Sequence, residues 1–339
     1  MTDQKDILCF GELLIRLNAP GRERLLQSRR FDAYIGGAEA NVAVALAQMG
    51  RRARFVSVVA DNALGEGALG ELRRYGVDTS ACLRAKGRMG LYFMNVGAVR
   101  RPSEILYDRA NSAFACASPD AIDWREVLKT ASWLHVSGVT PALGANAAQA
   151  AILAVETAKE MNVGVSFDGN YRAQLWGAWD SDGPAILKRL LSSARFAFIN
   201  ERDIGLVLGN DYARRQNSAR KAAFSDAFDA FPGLELIAAT QRRQDSVDHH
   251  MLSAMVSTRE GEWRSREYEL VGVVDRIGAG DAFAAAVLHA ASGGKDNQYT
   301  VEYAAAAAAL KHSVPGDFFL ANVADIEMAM SESGLDVRR

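Results

Sequence analysis

The chain has 339 residues, 49% hydrophobic and 24% charged, which suits a globular protein with a substantial core and one or two domains. Its 39 basic and 41 acidic residues leave a formal net charge of -2, which gives no electrostatic ground for a nucleic-acid partner. The small-apolar run at 304–310 is too short to span a bilayer, and three cysteines without C-x-x-C spacing point to a reducing, cytoplasmic setting rather than a disulfide framework or a zinc site.

Residues 1–6 lack the basic start of a signal peptide, and Glu12 and Arg16 interrupt the apolar run that follows. From 13 to 35 the chain reads as extended and alternating, with no crossover helix. The pair Gly36-Gly37 then opens a helical pattern through Ala38-Glu39-Ala40-Asn41-Val42-Ala43. A strand is predicted at 54–59 and a helix at 65–75. The stretch 90–109 is again extended: 91–96 and 103–107 predict antiparallel strands joined through Arg100-Arg101-Pro102. A strand at 133–137, a helix at 145–161 and short buried strands at 163–167, 195–199 and 234–239 follow. His135 reads as a packed core histidine, and His249 and His250 as part of a polar loop at no metal-ligand spacing. An apolar run at 268–274 reads as a strand leading into Asp275-Arg276-Ile277-Gly278-Ala279-Gly280-Asp281, and helices at 281–291 and 298–311 come after. Strands alternating with helices predict a single α/β domain over 1–339, with a mostly parallel sheet covered on both faces. The stretches 13–35 and 90–109 would form a small β layer beside it. Ligands of such sheets lie beyond the carboxyl ends of the strands.

The Gly278 turn is the place where chemistry is most legible. Glycines allow close approach of backbone to a ligand, and the free N–H groups of a first helical turn favour an anion. A carboxylate there, at Asp281, could take a proton from a hydroxyl held beside a phosphate, as phosphoryl transfer to an alcohol requires. Gly37 and Asn41 suit hydroxyl binding, the glycine by close approach and the amide by donating and accepting. On the bare sequence Asn41 reads more readily as a helix N-terminal cap.

These two glycine signatures, in this order and this far apart, resemble those of the PfkB (ribokinase-like) carbohydrate kinases. Within that family the chain is similar to 2-keto-3-deoxygluconate kinases. The likeness rests on Tyr92, on Tyr107-Asp108-Arg109, on Phe167-Asp168-Gly169-Asn170-Tyr171-Arg172 with Leu175-Trp176, on 135–143 and on Pro315-Gly316-Asp317. The resemblance implies a three-layer α/β/α fold, with a β-sheet lid that covers the sugar and joins a homodimer or higher homo-oligomer. It implies Asp281 as base, with Gly278, Ala279 and Gly280 as the anion hole. Gly37, Asn41, Tyr92, Tyr107, Arg109, Arg172 and Asp317 would bind the acceptor, the arginines gripping its carboxylate. Asn200, Thr240, Arg242, Gly278 and Gly280 would bind ATP, and Asp203 would serve Mg²⁺; a monovalent cation is a further family expectation. A base of ordinary carboxylate pKa suffices if the proton moves late. The implied reaction is phosphorylation of the terminal hydroxyl of 2-keto-3-deoxygluconate. Alternatives are a PfkB kinase for fructose, a pentose or another keto-sugar acid, and a sugar-binding sensor without catalysis. Three departures fall on the nucleotide side: Asp203 where glutamate is expected, Arg276-Ile277 where threonines are common, and Thr240-Gln241-Arg242-Arg243 in place of a Lys-x-Gly element.

Overall fold

Strand Asp6–Phe10 sends Ile7 and Cys9 into one apolar core and Leu8 and Phe10 into another. Phe196–Phe198 and Leu236–Gln244 divide their side chains the same way, because successive residues of a strand face opposite sides. Strands that are apolar on both faces belong inside a covered parallel sheet. In the computed structural model, which describes residues 5–212 and 219–331, that sheet is nine-stranded. Its path runs Glu262–Arg264, His249–Ser257, Leu236–Gln244, Phe196–Phe198, Gly164–Asp168, Ala131–Ser137, Asp6–Phe10, Ala53–Val56. Pairing is parallel from Ala53–Val56 to Leu236–Gln244 and antiparallel beyond, where Tyr268–Val271 also joins.

One face is covered by helices Ala38–Gln48, Ala63–Arg74, Ala279–Ser292, Asn297–Lys311 and Val323–Met330. The other carries Trp124–Leu128, Ala145–Glu160, Gly183–Leu191, Glu201–Leu208 and Ala219–Ala230. The family fold expected from the sequence is therefore present. A separate sheet of Asp32–Gly36, Leu14–Asn18, Gly90–Asn95 and Glu104–Asp108 forms the lid. Its inner pair is parallel and its outer pairs antiparallel.

Three local readings change. The strand expected at 54–59 divides at Ser57: Ala53–Val56 stays in the main sheet, and Val58–Ala60 pairs with Leu83–Ala85. Apolar residues on both sides hide the break, while the Ser57 carbonyl accepts from the Leu83 N–H. His249 and His250 lie in a strand, not a loop, because the hairpin ladder continues outward to Gln244 opposite His250. The run at 268–274 holds only a short edge strand, Tyr268–Val271, with Val271 and Val274 exposed.

Candidate active site

Gly278 caps helix Ala279–Ser292 at φ 81°, and a Cβ there would lie 2.0 Å from the carbonyl oxygen of Asp317. Only glycine fits that conformation and that contact. At Gly280 an added Cβ would meet nothing within 4 Å, so the space in front of the turn is open to a ligand. The Ala279 N–H donates back to the Arg276 carbonyl at 3.3 Å. The N–H groups of Gly280 and Asp281, in the same first turn, have no intrahelical acceptor.

Asp281 accepts a hydrogen bond on Oδ2 from Asn41 Nδ2 at 2.6 Å. Burial pushes its carboxyl up to about 7, with the nearby charges of Glu39 and Asp317 adding to the rise and the Asn41 bond opposing it. An ordinary carboxylate pKa would suffice for a late proton transfer, and this raised value suits a base at neutral pH. Asn41 is not the helix cap: Gly37 caps Ala38–Gln48, and Asn41 sits in its first turn with its N–H donating to the Gly37 carbonyl at 2.7 Å. Its Oδ1 is buried with no partner among the described residues, which leaves an acceptor free for a substrate hydroxyl. Gly37 lies at φ 146°, where a Cβ would come within 2.2 Å of the Glu12 carbonyl oxygen. Beneath them Glu39 is buried and accepts from Ser137 N–H, Ser137 Oγ and Thr140 Oγ1 at 2.9, 2.8 and 2.7 Å.

A cleft of about 530 Å³ opens over Asp281 and is lined by Gly37, Asn41, Tyr92, Tyr107, Arg109, Arg172 and Asp317. All the residues expected to bind the acceptor therefore face one space. Arg109 is buried, its Nε bonded to Glu12 Oε2 at 2.6 Å, and Glu12 also accepts from Ser112 Oγ. That pair fixes the guanidinium at the cleft wall. Arg172 is exposed at the rim. Tyr92 Oη donates to Asp317 Oδ2 at 2.7 Å, and Asp317 Oδ1 accepts from Arg16 at 3.0 Å. Arg16 is fully buried and also donates to Asp275 at 2.7 Å and to Asn18 at 2.7 Å, with its guanidinium over the Tyr34 ring. Arg16 and Tyr92 belong to the lid, Asp275 and Asp317 to the body, so this cluster ties the two together at the cleft. Sequence reasoning treated Arg16 only as an interruption of an apolar run.

A second cleft, about 280 Å³, is lined by Asn200, Asp203, Thr240 and Phe283. Asp168, Asn170, Arg172 and Gly280 border both clefts, so the two meet in front of the Gly278 turn. Asn200 and Asp203 form a capping box on Glu201–Leu208: Asn200 Oδ1 accepts from Arg202 and Asp203 N–H at 2.8 and 3.2 Å, and Asp203 Oδ2 accepts from Asn200 N–H at 3.0 Å. Arg242, expected beside the nucleotide, instead lines the acceptor cleft with Arg276. It lies two residues beyond Thr240 on a strand longer than the sequence predicted. Asp168 stands in the 167–172 motif, where the sequence assigns it no role. Burial and then the charge of Asp281 raise its carboxyl to about 8, and Asp203 adds to the rise. Among the described residues no group of three or more His, Cys, Asp or Glu forms a metal site. Asp168 and Asp203 line the same cleft, and two carboxylates there fit Mg²⁺, which commonly binds one or two carboxylates together with waters and substrate phosphates. His135 is buried and bonded to Ser166 at 3.0 Å, away from these groups.

The model of the pfkB family carbohydrate kinases matches residues 4–230 and 251–320. This chain belongs to the PfkB family of carbohydrate kinases. The unmatched stretch between those segments carries Thr240 and Arg242, where the sequence departs from the family pattern. This PfkB kinase is 30% identical over 335 residues to a 2-dehydro-3-deoxygalactonokinase of Haloferax volcanii, covering 98% of this chain and 99% of that one. A solved 2-dehydro-3-deoxygluconokinase from Thermotoga maritima superposes with a TM-score of 0.91 at 37% identity, covering 96% and 99%. A fructokinase from Xylella fastidiosa solved with bound ATP shares the fold, with a TM-score of 0.77 at 23% identity over 96% and 98%. No helix among the described residues is long and apolar enough to cross a membrane.

Proposed function

We propose that this PfkB kinase transfers the γ-phosphoryl group of ATP to the terminal hydroxyl of 2-keto-3-deoxygluconate or a close epimer. The observation that carries this reading is the sharing of one cleft by Asp281, raised to about 7, and by Arg109 and Arg172. A neutral sugar offers two guanidinium groups only single uncharged acceptors, whereas a carboxylate takes their paired N–H groups with its charge. The relatives named for 2-dehydro-3-deoxy sugar acids support the same substrate class, and the galacto epimer belongs with the gluco form.

In this reading the carboxylate end lies against Arg109 and Arg172, and the far hydroxyl reaches Asp281 with Asn41 Oδ1 accepting a neighbouring hydroxyl. Asp281 takes the proton as the hydroxyl oxygen bonds to the γ-phosphorus. The bond from that phosphorus to the bridging oxygen breaks, and ADP leaves with its electron pair. The N–H groups of the Gly278–Gly280–Asp281 turn stabilise charge on the phosphoryl oxygens, and removal of one such donor typically costs ~10²–10³ in rate. ATP would occupy the cleft of Asn200, Thr240 and Gly280, which meets the acceptor cleft in front of the Gly278 turn. Mg²⁺, held by Asp168 and Asp203 through water, would neutralise phosphate charge. Lid closure excludes water and so limits ATP hydrolysis. A homodimer through the lid is part of the same proposal; Leu106, exposed on the lid strand Glu104–Asp108, supports it, and sedimentation of the wild type tests it.

The test is coupled ADP release with MgATP over neutral sugars and keto-deoxy acids. Turnover of 2-keto-3-deoxygluconate or its epimer is expected, falling ~10²–10⁴-fold in Asp281→Asn. Turnover of neutral sugars alone would overturn the roles of Arg109 and Arg172.

A further inference from the structure

Behind the Gly278 turn lies a buried ion cluster that takes no part in the proton and phosphoryl transfers. Lys311, the last residue of helix Asn297–Lys311, is fully buried. Its Nζ donates to the carbonyl oxygens of Val314 and Gly316 at 2.9 and 2.8 Å. An ammonium stripped of water is unfavourable unless paired and hydrogen-bonded. The carboxylates of Asp275 and Asp317 supply the opposing charge, and both also bind Arg16. Two cations and two anions therefore balance within one buried cluster.

That cluster abuts the reaction centre. A Cβ placed on Gly278 would lie 3.2 Å from Lys311 Cε as well as 2.0 Å from the Asp317 carbonyl oxygen. Gly316, at φ 83°, donates its N–H to Asp275 Oδ2 at 3.1 Å. One ammonium thus holds the 314–316 turn, the turn presents Asp317, and the Asp317 backbone walls the Gly278 turn. A methionine would fill the same volume, but it would leave two carbonyl dipoles facing each other without a cation.

We propose that Lys311 is a positioning residue whose ammonium serves as a built-in cation, holding the Val314 and Gly316 carbonyls so that the Gly278 turn keeps the shape that receives the phosphoryl group. An exchangeable monovalent cation is then unnecessary. The proposal rests on the reading that phosphoryl transfer takes place at Gly278–Asp281.

The test is Lys311→Ala, assayed for ADP release in ammonium, potassium and tetramethylammonium salts at equal ionic strength, beside wild type and Asp281→Asn. Wild type should be indifferent to the cation. In tetramethylammonium the variant should lose ~10²-fold in kcat, comparable to losing one hole donor, with acceptor KM little changed. Ammonium or potassium, small enough to enter the vacated carbonyl cage, should restore part of kcat. The same ions should raise the melting temperature of the variant and not of wild type, a readout independent of turnover. If Lys311→Ala fails to fold, Lys311→Gln retains amide donors without the charge and should show the same loss of kcat. A folded variant with wild-type kcat, or a loss that neither ion restores, overturns the proposal. Asp281→Asn inactive with Lys311→Ala unimpaired overturns this proposal alone, whereas full turnover by Asp281→Asn overturns the assigned reaction centre with it.

Discussion

Replacing Asn41 with alanine removes the amide hydrogen bond that holds the Asp281 carboxylate at 2.6 Å. A hydrogen bond to a charged group contributes about 1.5–3 kcal/mol, and each 1.36 kcal/mol is one pKa unit, so the base should rise by about 1–2 units. Starting from about 7, the new value is roughly 8–9. At pH 7 the ionised fraction then falls from about half to roughly 1–10%, and kcat/KM should fall about 5–50-fold. The part of the loss that comes from protonation of the base should return as the pH is raised past the new pKa. Loss of the Asn41 Oδ1 acceptor adds a separate, pH-independent rise in acceptor KM. The assay is kcat/KM for the best acceptor from about pH 5.5 to about pH 10, with Asp281→Asn as the baseline. An acid limb that stays in place, or an equal loss at every pH, would refute the claim that Asn41 tunes Asp281.

In the wild type the acid limb of kcat/KM should lie near 7, not near 4, since Asp281 must be ionised to act and burial has raised it. The native state also keeps protons on Asp281 and Asp168 that the unfolded chain releases. At these two groups the unfolded state therefore binds fewer protons, so their contribution to stability should decline as pH rises toward about 8; burial lowers His135, His289 and His312, which oppose this below about pH 6.5, so melting temperatures between about 6.5 and about 8 check the sign. Gly278→Ala should both destabilise and inactivate, because its Cβ meets the Asp317 carbonyl at 2.0 Å and left-handed backbone adds ~1–2 kcal/mol. Gly280→Ala, whose Cβ meets nothing, should melt like wild type yet lose kcat by entering ligand space; a lowered melting temperature would contradict this. Arg16→Met leaves Asp275 and Asp317 short of a cation and should cost ~3–5 kcal/mol in urea unfolding. A cost under about 1 kcal/mol would show that Lys311 alone compensates them.

What can be read in this sequence is what depends on neighbours along the chain. The Gly278–Asp281 turn is legible because a left-handed glycine and a helix N-terminus are local requirements. The covered sheet is legible because strands apolar on both faces alternate with helical patterns. The sequence alone left Asn41 open between helix cap and site. The choice was made by a partner 240 residues away, which brings its amide to Asp281. Arg16 appeared as a blemish in a strand because its partners, Asp275 and Asp317, lie 259 and 301 residues further on. Lys311 appeared as an ordinary helix end until the fold closed a carbonyl cage around it. The raised carboxyls of Asp281 and Asp168 were also beyond reach, since burial and the approach of like charges exist only once the clefts are assembled. Residue type and spacing determined the family fold, the glycine turn and the place of the proposed base. Tertiary structure decided which charges are buried together, because desolvation and Coulomb energy depend on distance through space rather than along the chain.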